Sequence, residues 1–341
     1  MSAHTHITPL HRISVTDTAA WHQVISASMA LDLPEVPPPA PGQVHAQLTK
    51  PALGSERLIW VARSEDGATV AVATLRLFTQ PGQEHLAELD LHVDPRHRRQ
   101  GIGSRLFSTA VAACRAENRR SLIAQTGAAG PGAAFCERWN FSPSLTLNHL
   151  LLHLDGPAAD RTAALAGADH PGYRLTGWTG TVPDHLAESF AAAKNAMNDM
   201  PTGELDYGHI AWDADRVRTM AEVVATRGGT LLTLAALHDD GTMAGYTEVV
   251  LQGTAHRAQQ YDTAVVPAHR GHGLGLWLKA AMAVRLLTDH PHVTEIETDN
   301  AEDNVHMLAV NRELGFHAYR RTCEYQLDLT ASAAPALPPG A

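Results

Sequence analysis

Apolar and polar positions recur along this chain in one repeated order. The runs RLIWVARSEDGATVAVATLRLF and TLLTLAALHDDGTMAGYTEVVL each hold two apolar stretches of strand length around an Asp-Gly turn, Asp66-Gly67 and Asp240-Gly241. That pattern predicts two hairpins. Further on, LAELDLHV and QQYDTAVV predict another strand in each half, and each leads through proline into a basic, glycine-rich loop. Helical spacing follows, with Leu106, Ala110 and Cys114 on one face in the first half and Leu274, Leu278, Ala281 and Met282 in the second. Short helices ending near FCERWNF and VNRELGF then precede a last strand.

The recurrence is an internal duplication. Arg98, Gly101 and Gly103 return 172 residues later as Arg270, Gly273 and Gly275; the hairpin turns lie 174 apart, and Phe141 and Phe316 lie 175 apart. Three landmarks in the same order predict two copies of one α/β fold with a mixed sheet. The copies run from Ile7 to Leu154 and from Tyr173 to Leu329, so the expected division is residues 1–155, a linker at 156–171, a second domain at 172–330 and a disordered tail at 331–341. Asp17 is expected to cap a helix reaching Met29, LPEVPPPAPG to be a loop, Asp184 to open a helix towards Met197, and Asp213 to open another.

Composition narrows the function. With 44% hydrophobic and 18% charged residues, the chain is globular rather than disordered or fibrous. No apolar run approaches the roughly 18 residues of a membrane span, and MSAHTHITPLHR lacks the apolar core of a signal peptide, so a cytoplasmic location is expected. Thirty-six acids against 26 bases leave a net charge of -10, which provides no basic excess for nucleic acid. Cys114, Cys136 and Cys323 form no CxxC pair, and the pairs His269/His272 and His290/His292 have no carboxylate at a known ligand spacing, so no metal is expected.

The glycine loops carry the chemistry. A strand entering such a loop, with a helix starting at its end, lets backbone amides and the positive helix terminus converge on a phosphate or pyrophosphate. Arg98 and Arg270 can add charge-assisted contacts. Neither loop has the third glycine of GxGxxG, and neither is followed by Lys-Ser or Lys-Thr, which removes the dinucleotide and P-loop readings.

With RxxGxG twice between strand and helix, the chain resembles the GNAT superfamily of acyl-CoA-dependent N-acetyltransferases, whose signature is (R/Q)xxGx(G/A). The second half is the fuller match, since VVPAHRGHGLG is followed by TDNAEDNVHMLAVNRELGF. The tandem architecture is similar to that of mycothiol synthase and its relatives. The resemblance implies two tandem GNAT folds and acetyl-CoA as acyl donor. Its pyrophosphate would lie on Arg270, Gly271, His272, Gly273, Leu274 and Gly275, its pantetheine arm along Val265 and Val266, and Asn304 would touch that arm. Val93, Arg98, Gly101, Gly103 and Ser104 are the corresponding positions of the first half. The acceptor implied is the amine of a small molecule, with no nucleic-acid or membrane partner.

The chain also departs from the family. The glutamate that usually serves as base falls at Gln259 and Ala87, and the tyrosine that often protonates the leaving thiolate falls at Asn311 and Cys136. Glu248 and Asp262 are the replacement candidates for the base, and Tyr319 and Tyr325 follow the LGF segment. The second half is expected to be catalytic and the first degenerate, because Glu248 corresponds to Thr74 and Asn304 to Ala129. A chain without the glutamate and tyrosine is also compatible with acyl-CoA sensing, or with another acyl-CoA reaction such as malonyl-CoA decarboxylation.

Overall fold

The computed structural model describes residues 5–50 and 52–330; the tail expected at 331–341 lies outside them. The first half contributes β1 (His6–Pro9), α1 (Val15–Asp32), α2 (Pro41–Thr49), β2 (Ser55–Arg63), β3 (Thr69–Phe78), β4 (Leu86–Val93), α3 (Ile102–Ala116), β5 (Ser121–Gly127), α4 (Pro131–Arg138) and β6 (Ser142–His153). The second contributes α5 (Gly156–Ala166), β7 (Tyr173–Thr179), α6 (Ala187–Lys194), α7 (Ala214–Thr226), β8 (Gly229–His238), β9 (Met243–Gln252), β10 (Arg257–Val265), α8 (Leu274–Asp289), β11 (Glu295–Ala301), α9 (Val305–Leu314) and β12 (His317–Asp328). The fold is mixed α/β, and both hairpins form where the Asp-Gly turns place them, with Gly67 and Gly241 at φ +85° and +89°.

Two compact units result, and neither is a continuous stretch of chain. Among the described residues, the first holds the chain up to Thr146, the segment Thr202–Gly208 and residues 321–330; the second holds Leu147–Pro201 and His209–Arg320. The first unit's strand order is β1-β2-β3-β4-β5-β12, and the second's is β7-β8-β9-β10-β11-β6. In each, one parallel pair (β4–β5, β10–β11) sits in an otherwise antiparallel sheet. The final strand of each half therefore completes the sheet of the other unit: β12 pairs with β5 from Thr322 to Asp328, and β6 pairs with β11 from Leu147 to His153.

Several local expectations are corrected. Ser14, not Asp17, is the N-cap of α1; Asp17 is its reciprocal partner three residues on, accepting from the Ser14 N–H while Ser14 Oγ accepts from the Asp17 N–H. LPEVPPPAPG is a loop only as far as Ala40, because Pro41 has the fixed φ that starts α2. The stretch read as a linker is largely helical: α5 packs Ala158, Leu165 and Ala166 against the core around α8, and Ala166 O accepts from the Trp277 indole at 3.1 Å. The helix expected to reach Met197 ends at Lys194 and tightens into a 3-10 turn over Asn195–Asp199, whereas Asp213 caps α7 as expected.

Candidate active site

In the second unit the chain leaves β10 at Val265, turns through Pro267–His269, and enters α8 by way of Gly271 and Gly273, both left-handed at φ +85° and +73°. Gly273 is the N-cap of α8 and no side chain caps that helix, so its first-turn amides face the loop. A Cβ added at Gly271 would meet nothing within 4 Å. At Gly273 it would meet the His170 ring at 3.4 Å, so the space is open on the Gly271 side of the uncapped helix amides, an arrangement able to hold a phosphate or pyrophosphate. The first unit repeats the design around Gly101 at φ +78°, but Arg99, at φ +62°, stands where the second unit has Gly271.

Both signature arginines brace their loops. Arg270 Nε donates to Val265 O at 3.1 Å and Nη2 to Asp199 at 2.9 Å; Arg98 Nε donates to Val93 O at 3.1 Å, and its other nitrogens hold Asp32 and Ser28. Leu274 is buried, and Gly275 lies beside Val265. The His272 carbonyl accepts from His170, whose ring stacks on Trp277 at 4.4 Å. Val266 N donates to Ala244 O, tying the strand end to β9. Gly103 and Ser104 lie in the first turn of α3. Asn304 caps α9, its Oδ1 accepting from the Met307 N–H at 3.2 Å. Among the described residues no group of three metal-ligating side chains occurs; His269 and His272 instead pack around Tyr173.

β10 and β11 pair only from Arg257↔Glu295 to Gln259↔Glu297, after which β10 continues without its parallel neighbour. At the same place the β9–β10 register slips between Gln260 and Thr263, so β10 carries one extra residue there. The first unit also parts β4 from β5 after Leu89↔Ala124, but its β3–β4 register is unbroken. The second unit alone thus has a bulge at the fork, and Asp262 is on it.

Asp262 and Glu248 are brought together by a residue the sequence reading missed. Lys194, at the end of α6 and 0% exposed, donates to Glu248 Oε2 at 2.6 Å and to Asp262 Oδ2 at 2.8 Å. Its ammonium lies 4.5 Å from the Trp212 ring centre and 5.0 Å from that of Tyr246. Burial pulls the Lys194 pKa down, but the charges of Asp262 and Glu248 outweigh it and hold it above the usual value, so the lysine is cationic. Burial pushes Glu248 up against the pull of Lys194. Glu248 is 1% exposed, whereas the Asp262 side chain is 31% exposed and is the one member of the triad that meets solvent. A signal for Lys194 was present: Ala187, Phe190, Ala191 and Lys194 form one helical stripe, and a lysine on an apolar stripe needs buried partners.

Gln259, at the family glutamate's place, donates to Glu297 across the last rung of the parallel pair at 3.0 Å. Tyr319 and Arg320 also donate to Glu297, at 2.5 and 2.8 Å. Burial opposes its ionisation, but hydrogen bonds from His149, Tyr319, Gln259 and Arg320 hold Glu297 well below the usual range, so it is a fixed carboxylate and a poor proton acceptor. Tyr319, raised to about 12 by burial and by Glu297, is committed to that cluster, and Tyr325 is buried in the first unit's core. In that unit Asp90 pairs with His92 at 2.9 Å, and Thr74 stands opposite Asp90.

A family model for the Acetyltransferase (GNAT) family matches residues 24–141 and again 197–316. Among solved structures, a tandem GNAT protein from the clavulanic acid biosynthesis pathway matches with a TM-score of 0.80 and 27% identity, over 97% of this chain and 100% of that one. A GCN5-related N-acetyltransferase from Sphaerobacter thermophilus matches with a TM-score of 0.70 and 18% identity, over 95% and 96%. A glucosamine N-acetyltransferase region of a fungal multi-domain GH3 beta-N-acetylglucosaminidase matches at 0.67 and 16%, over 95% of this chain and 38% of that one. The last two likenesses concern the fold alone. No curated protein sequence matches the chain.

Proposed function

The chain belongs to the acetyltransferase (GNAT) family and carries that fold twice in tandem, and from that premise we propose that its second unit transfers an acetyl group from acetyl-CoA to the amine of a small molecule. The observation that carries this reading is the bulge that puts Asp262, half-buried and held by Lys194, at the fork where β10 leaves β11, one short strand segment before the open glycine loop. The loop amides of Arg270 to Gly275 hold the pyrophosphate, and the pantetheine arm follows Val265 and Val266 into the fork. A neutral amine attacks the thioester carbon, and Asp262 accepts its proton directly or through one water. Lys194 fixes the carboxylate, and Glu248, too buried to meet substrate, fixes Lys194.

Thiol release from acetyl-CoA with a panel of small amines tests the proposal. Turnover with at least one amine is the expected result; tight acetyl-CoA binding without turnover on any amine favours a sensor instead.

The two units are expected to be unequal. The first lacks the bulge, has Thr74 for Glu248, and bonds its aspartate to a histidine. Gly101 and Gly273 are equivalent left-handed N-caps, so valine at either is strained and crowds its own loop. Gly273→Val should weaken acetyl-CoA binding at least about tenfold, about 1.4 kcal/mol, and abolish turnover, while Gly101→Val leaves turnover intact. Binding calorimetry with rate measurements reads both, and equal losses of activity from the two variants would sink the asymmetry.

A further inference from the structure

The inward faces of α3 and α8 correspond position by position. Ile102, Leu106, Phe107, Ala110, Val111 and Cys114 are buried on the first; Leu274, Leu278, Lys279, Met282, Ala283 and Leu286 are buried on the second. One place changes character, from Phe107 to Lys279. Phe107 packs against Phe135, Trp139 and Phe141. Lys279 is 3% exposed, and its Nζ lies 5.1 Å from the ring centre of Phe316, the counterpart of Phe141. Among the described residues no carboxylate or other acceptor pairs with this ammonium. Burying an unpaired ammonium is costly, and the first unit packs the same place with a phenylalanine, so packing does not account for the lysine.

Its surroundings have changed with it. Asn311 replaces Cys136, while Asp299 and Asn300 on β11 replace Ala124 and Gln125. Asn311 is fully buried; its Nδ2 donates to Asn300 Oδ1 at 2.6 Å, and its Oδ1 has no partner among the described residues. Asn300 stands past Glu297, the last residue of β11 paired with β10, so the Asn311–Asn300 bond lies where the two strands have parted, and Asp299 beside it feels both Lys279 and the His149 and Arg320 side chains of the Glu297 cluster. Other charges are turned away. α9 buries Leu308, Asn311 and Leu314 and exposes Arg312 and Glu313, α5 exposes Asp160 and Arg161, and Glu248 and Asp262 face Lys194 on α6. Burial consequently draws the Lys279 pKa down to about 7, with Asp299 opposing only in part.

We propose that Lys279 is the proton donor to the sulfur of the departing CoA thiolate, at a site whose family tyrosine position is Asn311. The assignment rests on the acetyl-transfer reading above. As the amine nitrogen bonds to the thioester carbon, its proton passes to Asp262. The C–S bond then breaks with its electron pair on sulfur, and an Nζ–H proton moves to that sulfur, leaving an amide and a thiol. Lys279 regains a proton from solvent and Asp262 returns one, so the cycle is balanced.

Lys279→Met tests it, and losing an unpaired buried ammonium should leave the protein folded with an undiminished Tm. With acetyl-CoA, kcat should fall about 100-fold while acetyl-CoA affinity changes little. The wild-type decline of kcat as pH rises through about 7, where the acid loses its proton, should vanish. Independently of turnover, the thiol of bound CoA, followed by thiolate absorbance, should ionise at lower pH in the wild type than in the variant. An unchanged kcat and pH profile, or a CoA thiol that ionises at the same pH in both proteins, overturns the proposal. If the wild type turns over no amine, it is the acetyl-transfer reading that fails, and the thiol titration alone then decides whether Lys279 meets the sulfur.

Discussion

Asp262→Asn should lower kcat by about 100-fold or more while leaving acetyl-CoA affinity near that of the wild type. The carboxylate is reachable because the extra residue in β10 turns it outward at the fork, and an amide keeps that geometry while losing the ability to take a proton. Lys194 retains Glu248 at 2.6 Å, so the fold around the site persists and the effect is read in the rate. Glu248→Gln leaves Asp262 in place and should cost less in kcat than Asp262→Asn, since Glu248 acts only through Lys194. Steady-state rates with acetyl-CoA binding measured separately distinguish the two. Full activity in Asp262→Asn with loss in Glu248→Gln would reverse the assignment.

Lys194→Met should destabilise the second unit by about 3–5 kcal/mol at neutral pH, because it strands the fully buried Glu248 charge. The sign with pH follows from the shifts. Lys194 has a raised pKa in the folded protein, so its stabilisation is complete below its unfolded value and is lost as pH rises through the folded one. In the variant, Glu248, already raised by burial, loses the lysine that opposed the rise, so the penalty shrinks as pH falls and the carboxyl takes up a proton. Chemical denaturation at neutral and acid pH measures this. Lys194→Met/Glu248→Gln should recover most of the loss, since a buried pair replaced by neutral groups is often tolerated. A single variant as stable as the wild type would mean that Glu248 is not held as a charge.

The sequence by itself determined the duplication, both hairpins, the glycine loops and the helices that follow them, because each is a local pattern. Asp-Gly turns, period-2 and period-3.6 apolar spacing, and glycine before a helix act over a few residues and need no distant partner. It also singled out Glu248 and Asp262 as alternative candidates for the base, through the family resemblance, but did not show that one lysine joins them. What only the tertiary structure decided is non-local. The exchange of β6 and β12 escaped the sequence because two copies of one fold end in strands equally able to pair with either β5 or β11, and periodicity does not encode the partner. The roles of Lys194 and Lys279 escaped it because each stands on an apolar helical face, where the meaning of a charge depends on what the rest of the chain brings opposite. For Lys194 that is two carboxylates, from β9 and β10; for Lys279 it is a phenylalanine ring, with no carboxylate paired to it among the described residues.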